Sequence, residues 1–426
     1  MNEAMINDLK KYFSFLLSHE EGKKAKNRII VILFLCAGLL ILNRFLLFKF
    51  ADLGNFQINT ALSNLLFLKG ISPYSRDIPS ILDNYFSTRG VVLNASDFHF
   101  KLPIYQLIFF LPFSLIPDFN WSFSIWLTVN LCIFLACILN FIKLLKWEPE
   151  KWLRITALVG GMLSFYGISN FLDANTSFIQ LFFLLIGLNA VFSEKLILAG
   201  ILMGIVTIDP FNFMIPLIII LLFLSKQKKV VSVIWFFVMT GLLSLGGFIF
   251  DSGWILKFFR NIILERTFFP LIDYNQALLN WNIQISLGSL INLLPILLLI
   301  WIIIEFSRVP KQNSSQLFWL LSMVICINPF LIMRETNYAS VLYLIPIIFI
   351  IFLWEKHSTG KINNIIYGII GFVSVLLPFA ILLFPITFDF ISNFHSMNLI
   401  NSLLLILVLY WIRWWVVIPY DYLNNE

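Results

Sequence analysis

Residues 29–50 read IIVILFLCAGLLILNRFLLFKF, an apolar run broken only in its second half by one asparagine, one arginine and one lysine. Runs of this kind recur down the chain, separated by short polar breaks. That alternation constrains the fold more than any other feature. A helix needs about 20 apolar residues to cross the hydrocarbon of a bilayer. Composition agrees: 60% of the 426 residues are hydrophobic and 12% are charged, whereas a soluble domain is about half apolar and a quarter charged. The sequence therefore predicts an all-α polytopic membrane protein, and length-based domain counting for soluble chains does not apply to it.

Apolar runs predict helices near 29–50, 121–145, 153–171, 175–193, 196–209, 211–225, 229–250, 285–306, 315–333, 338–354, 363–386 and 397–418. That is about twelve helices in a single membrane domain over 29–426. The segment LPIYQLIFFLPFSLIP (102–117) is apolar but short and punctuated by proline, so it reads as half-inserted or strongly tilted. Residues 1–28, with LKKYFSFLLSHEEGKKAKNR, read as an amphipathic cytoplasmic segment, and no cleavable signal peptide is legible. Cys36, Cys132, Cys137 and Cys326 all fall inside apolar runs. They read as small buried hydrophobes, not as a disulfide or metal set. No internal repeat stands out, which weighs against inverted-repeat transporters.

Charge sets the expected orientation. The short stretches GKKAKNR, KLLKWEPEKWLR, SKQKK, SRVPKQ and EKHSTGK are basic. Placing them all in the cytoplasm also puts both termini there. The outside then receives 52–101, carrying short amphipathic helices, and 251–284. It also receives the turns NFLDANTS, TIDPF, MRETNY and TFDFISNFHSMN. Acids outside the cytoplasmic loops gather on that one face, and the net charge of +6 reflects the inner lysines rather than an acidic partner.

Four clusters on that face carry potential chemistry. Asp52 is the first carboxylate after the first helix; such a group can act as a general base toward a hydroxyl, or simply end the helix among headgroups. Asn55, Gln57 and Asn59 follow it, as sugar-hydroxyl ligands or as the wet side of an interfacial helix. In SDFHFKLPIYQ, Asp97, His99 and Lys101 alternate with phenylalanines; His99 titrates near neutrality when unperturbed and Lys101 can hold a phosphate. In DSGWILKFFRNIILERTFF, Lys257, Arg260 and Arg266 suit a lipid phosphate, or snorkel from the interface. Arg334 and Glu335 sit between two apolar runs, where charge is costly and tends to be functional. Arg334 can clamp a phosphate, and Arg44 in the first run poses the same question. No metal-ligand spacing and no phosphate-cradling glycine loop is visible, so neither a metal nor a cofactor is expected.

Taken together these stretches resemble the GT-C superfamily of membrane glycosyltransferases, and within it glycosyltransferase family eighty-seven, the polyprenol-phosphate-mannose-dependent mannosyltransferases. The likeness rests on Asp52 followed by KGISPYS, on KLPIYQLIFFLPFSLIP, DANTSFIQ and LAGILMGIVTIDPF, and on NIQISLGSL and NPFLIMRETNYASVLYLIP, in that order. It spans the chain to about residue 350. Asp209 stands where the family usually has a lysine. The resemblance implies a GT-C-type bundle and an inverting transfer of mannose or another sugar from a polyprenyl-phosphate donor to a lipid or glycan acceptor at the outer face of the plasma (inner) membrane. It implies Asp52 as base, and Lys101, Lys257, Arg260, Arg266 and Arg334 around the leaving phosphate. Asp173, Asn175, Asp209 and Glu335 join Asn55, Gln57, Asn59, Asp97 and His99 as substrate-binding candidates. Rival readings are a lipid-linked glycan polymerase or ligase, and a transporter or flippase of a lipid-linked glycan.

Overall fold

A computed structural model describes residues 20–45, 53–87, 98–264, 294–308, 314–331, 341–357 and 394–417, with 365, 366 and 369. Among these residues every regular element is helical. The first part comprises α1 (Glu20–Phe45), α2 (Leu53–Lys69), α3 (Ile78–Ser87), α4 (Leu111–Ser114), α5 (Phe119–Leu144), α6 (Lys151–Leu163) and α7 (Phe165–Leu172). Then come α8 (Ser177–Phe192), α9 (Leu196–Ile205), α10 (Pro210–Lys226), α11 (Val230–Phe250) and α12 (Trp254–Leu264). The last part holds α13 (Leu294–Arg308), α14 (Ser314–Leu331), α15 (Leu344–His357), α16 (Phe394–Trp411) and α17 (Arg413–Val417). Short 3-10 turns occupy Ile104–Phe109 and Val206–Ile208.

Most elements fall on the apolar runs, and local chemistry sets their ends. Asp118 caps α5, its carboxylate accepting from the N–H groups of Asn120 (2.8 Å) and Trp121 (3.2 Å), which satisfies two of the donors a helix start leaves unpaired. α2 stops at Gly70, whose φ of +67° a residue with a Cβ adopts only under strain. The Gly70 N–H then bonds Leu66 O (3.1 Å) and the Ile71 N–H bonds Leu65 O (3.0 Å), closing the helix. The 153–171 run is not one straight helix: it bends by 46° between α6 and α7. Ser164 makes the break, accepting the Gly167 N–H (3.0 Å) and donating to Gly161 O (2.6 Å).

Among the described residues two helices are individually long and apolar enough to cross a membrane, α5 and α11, and α6 with α7 make a third if the bent pair is one span. Half of the apolar window of α5 is buried, against 11% for α11, so α5 is central and α11 peripheral. Glycines bring α9 against α11. A Cβ on Gly200 would stand 2.3 Å from Ser232 O, and one on Gly204 2.7 Å from Met239 Cβ. Close approach through small residues replaces the hydrophobic drive that lipid cannot provide.

α2 differs from the wet interfacial helix that Asn55, Gln57 and Asn59 allow. It lies inside the protein, with Phe56, Ala61, Leu62, Ser63, Leu65 and Leu66 buried. Phe56 is ringed by Phe123 (5.1 Å), Trp126 (5.7 Å) and Phe119 (5.7 Å), so aromatic packing against α5 outweighs the polar residues. Helix α3 fits the expected short amphipathic element, burying Ile78, Leu82 and Phe86. The 102–117 segment is short and broken, as its prolines require. Helix α1 runs through position 29 without a break; residues 1–19 lie outside the described residues, as does most of the helix expected at 363–386.

Candidate functional site

Polar side chains tie the loops into two ends. At one end Lys229 pairs with Glu194 (2.8 Å), Lys226 caps the carbonyls of Phe306 (3.3 Å) and Ser307 (3.1 Å), Trp147 donates to Glu355, and Arg413 forks onto Glu305 (3.1 and 3.0 Å). These are the breaks rich in lysine and arginine. At the other end three segments far apart in sequence meet.

The first is the turn after Gly70. Tyr74 is buried, its ring 5.4 Å from Phe100, and its hydroxyl donates to Leu102 O. The second is 98–106, also held by Asn261, whose side-chain amide donates to Phe100 O (3.0 Å). The third starts at Asp251. This carboxylate accepts the Ser72 hydroxyl, the Gly253 N–H (2.9 Å) and both-oxygen contacts from Lys257 (2.9 and 2.8 Å). Its side chain is 6% exposed, that of Lys257 39%. Burial alone pushes the Asp251 pKa up; the bonds from Lys257, Ser72 and Gly253, with the Lys257 charge, outweigh it and hold the carboxyl below its usual value. Burial, and then the nearby Tyr105 and Asp251, push the Tyr74 phenol well above its usual range, so Tyr74 acts as a neutral donor.

Beside this junction runs an apolar groove of about 440 Å³, walled by α10, α11 and α12 and lined also by Pro103, Tyr105 and Thr207. The Tyr105 hydroxyl donates to Thr207 O (3.1 Å), and its ring meets Trp254 edge-on at 5.8 Å. Lining residues on α10 run from Pro210 to Leu221, about 16 Å at the helical rise. The groove is therefore elongated along α10. Groove-lining Trp254, Ile255, Phe258 and Phe259 share α12 with Lys257 and Arg260.

The structure thus brings Lys101, Lys257 and Arg260 into segments that meet, with Arg260 and His99 exposed and Lys101 half-buried. Lys257 enters as the partner of Asp251, its side chain 39% exposed. Gln57 is buried, while Asn55 and Asn59 are half-buried on α2. Asn175 has a local task, accepting the Ser177 N–H (2.9 Å) at the start of α8; Asp173, two residues earlier, is half-buried and Asp209 is buried. Arg44 lies with its guanidinium 5.6 Å from the Trp121 ring. Asp52, Asp97, Arg266, Arg334 and Glu335 lie outside the described residues. Among the described residues no group of three or more His, Cys, Asp or Glu side chains is placed to hold a metal.

Sequence reasoning passed over Ser72, Asp251 and Asn261. One signal was present: Asp-Ser-Gly after a long apolar run favours an aspartate that bonds the N–H two residues on. Nothing local indicated that Ser72, 179 residues away, would complete it. No protein-family model, no curated protein and no solved structure matches this chain.

Proposed function

We propose that this protein is a multi-pass membrane glycosyltransferase of the GT-C type, with about twelve transmembrane helices. It transfers a sugar, mannose or another hexose or pentose, from a polyprenyl-phosphate donor to a lipid or glycan acceptor at the outer face of the plasma membrane. One observation carries the reading: the cation-bearing segments around 101 and 257–260 meet the Gly70–Asp77 turn beside an apolar groove of about 440 Å³. A lipid phosphate needs that pairing, an apolar slot for its tail and cations where the slot meets polar surface.

In the proposed reaction Asp52 takes the proton of the acceptor hydroxyl as its oxygen bonds the anomeric carbon. The anomeric carbon–oxygen bond to the phosphate breaks, and the configuration inverts. Charge grows on the departing polyprenyl phosphate, and Lys257, Arg260 and Lys101 stabilise it, with Arg266 and Arg334 as further candidates. Stabilising charge as it develops is what raises the rate.

The test uses purified protein in lipid nanodiscs and a labelled polyprenyl-phosphate hexose, following release of polyprenyl phosphate. Asp52→Asn keeps size and removes basicity, so transfer falls by about two to four powers of ten while donor binding is retained. Transfer only from a diphosphate-linked glycan assigns a polymerase or ligase instead. Parental rates in the Asn variants of Asp52, Asp97 and Asp209 and in Glu335→Gln overturn the mechanism.

A further inference from the structure

At the end rich in lysine and arginine, one buried carboxylate serves cations from separate helices. Glu305, near the end of α13, is buried. Arg413 on α17 donates through one Nη to both of its oxygens (3.1 and 3.0 Å), and Arg308, a turn further along α13, donates to Oε1 (3.3 Å). Lys226, at the end of α10, donates to the carbonyls of Phe306 (3.3 Å) and Ser307 (3.1 Å), the two residues before Arg308. Three cations thus crowd the last turn of α13 against one carboxylate. Glu305 offsets one charge, and the negative end of the α13 dipole offsets about half of another. A surplus of about one positive charge or more remains, and Arg308, its side chain 63% exposed, presents it outward. Donors are also in excess, since Arg413 Nε meets no acceptor among the described residues.

An apolar track leads to this charge. On α13 Leu297, Ile300 and Ile304 are exposed at spacings of three and four, so they share one helical face, and Arg308 ends it. From Leu297 to Arg308 the helix rises about 16 Å, close to half of a hydrocarbon core about 30 Å thick. Leu403, Leu407 and Tyr410 on α16, continued by Trp414 on α17, are exposed at the same spacings. The two tracks are neighbours. The Trp301 and Tyr410 rings lie 6.2 Å apart, and one turn further along both helices Arg413 reaches Glu305. Exposed aliphatic residues over one leaflet's depth, then Tyr and Trp at the height of headgroups, then surplus positive charge follow the order of a phospholipid from chain to phosphate.

We propose that α13 and α16 hold an anionic phospholipid of the adjacent leaflet, which the basic breaks make the cytoplasmic one. Its acyl chain lies along the Leu297–Ile304 track and its phosphate meets Arg308, with Arg413 and Lys226 adding to the positive field. A guanidinium takes a phosphate through two parallel N–H bonds. A headgroup of net negative charge is preferred because a zwitterionic headgroup offsets its own phosphate with an amine. A soluble phosphate gains nothing from the apolar track. The site lies at the other end of the bundle from the Asp251–Lys257 junction and stands independently of the proposed glycosyl transfer.

Native mass spectrometry of the full-length protein in detergent, titrated with phosphatidylglycerol or phosphatidylcholine of the same chains, tests it. A basic residue beside an anionic lipid contributes about five-fold in affinity, so the parent binds phosphatidylglycerol at least about five-fold tighter than phosphatidylcholine. Arg308→Gln removes that preference, and Arg308→Lys, which keeps the charge and loses the fork, retains part of it. Arg154→Gln, which removes an exposed cation from another basic break, leaves the preference at the parental value. All three variants melt with the parent in phosphatidylcholine nanodiscs, since an exposed ion pair adds little stability. The parent alone gives a second reading if Arg308→Gln does not fold: inorganic phosphate at the lipid's concentration does not displace phosphatidylglycerol. Equal parental affinity for the two lipids overturns the proposal, as does a full preference retained in Arg308→Gln. Equal losses in Arg308→Gln and Arg154→Gln reduce the effect to a diffuse surface field, and displacement by inorganic phosphate makes it a soluble-anion site; either result also overturns it.

Discussion

Asp251→Ala is the most informative single change outside the bundle interior. The carboxylate ties the Gly70–Asp77 turn, through Ser72, to the start of α12, through Gly253 and Lys257. Hydrogen bonds to a charged group contribute about 1.5–3 kcal/mol each where buried. The Lys257 end, 39% exposed, is discounted because its ammonium regains water. The Ser72 hydroxyl and the Gly253 N–H dominate, giving about 2–4 kcal/mol for alanine and about 1–2 kcal/mol for Asp251→Asn, which keeps one accepting oxygen, presents an NH2 to which the Ser72 hydroxyl can turn as acceptor, and loses the charge. At 1.4 kcal/mol per factor of ten, amide exchange in 70–77 should accelerate by about thirty-fold or more in the alanine variant and about ten-fold in the asparagine variant. Hydrogen exchange with mass spectrometry on nanodisc-held protein reads this directly. The pKa direction adds a signature. A carboxyl depressed in the folded state adds stability above its unfolded value, about 3.9, and that stability disappears as pH falls through the folded value. Protection of 70–77 should therefore drop on acidification below about pH 4 in the parent and not in Asp251→Asn. Parental exchange in 70–77 for Asp251→Ala would refute the clip.

Other positions give sharp contrasts. Gly200→Ala forces a Cβ to within 2.3 Å of Ser232 O and 2.9 Å of Phe236 N, backbone atoms that cannot step aside, and should cost at least about 1–3 kcal/mol. Gly241→Ala, with nothing within 4 Å on the peripheral α11, should be neutral or gain up to about 1 kcal/mol from helix propensity; equal melting shifts for the two would negate the close α9–α11 packing. Asn43→Leu removes an amide donating to Thr128 Oγ1 (2.9 Å) between α1 and α5. Its other amide atom has no partner, so the loss should stay near 0.6 kcal/mol, and a change above about 2 kcal/mol would mean that Asn43 does more than join two helices. Gly70→Val places a β-branched residue at φ +67° and should loosen the turn by about 1–3 kcal/mol, visible as faster exchange in 70–77 with α5 unchanged.

Helix positions were legible because the hydrocarbon requirement writes itself into the sequence as unbroken apolar runs: α5, α8, α11 and α14 begin and end within a few residues of them. The lysine-rich breaks were legible for the same reason, since charge cannot stay in hydrocarbon. The clustering of 70–77, 98–106 and 251–261 was not legible as contacts. Ser72 and Asp251, or Phe100 and Asn261, become neighbours only through how many helices pack, and no local pattern encodes a pairing across more than 150 positions. The fate of α2 was decided the same way. Its asparagines and glutamine fit an interfacial helix, but Phe56 found an aromatic ring cage on α5 and drew the helix inside. Sequence determines which residues must avoid lipid or water; tertiary packing decides which polar atoms find partners, and it left the buried side-chain oxygens of Gln106, Asn130 and Gln180 without one.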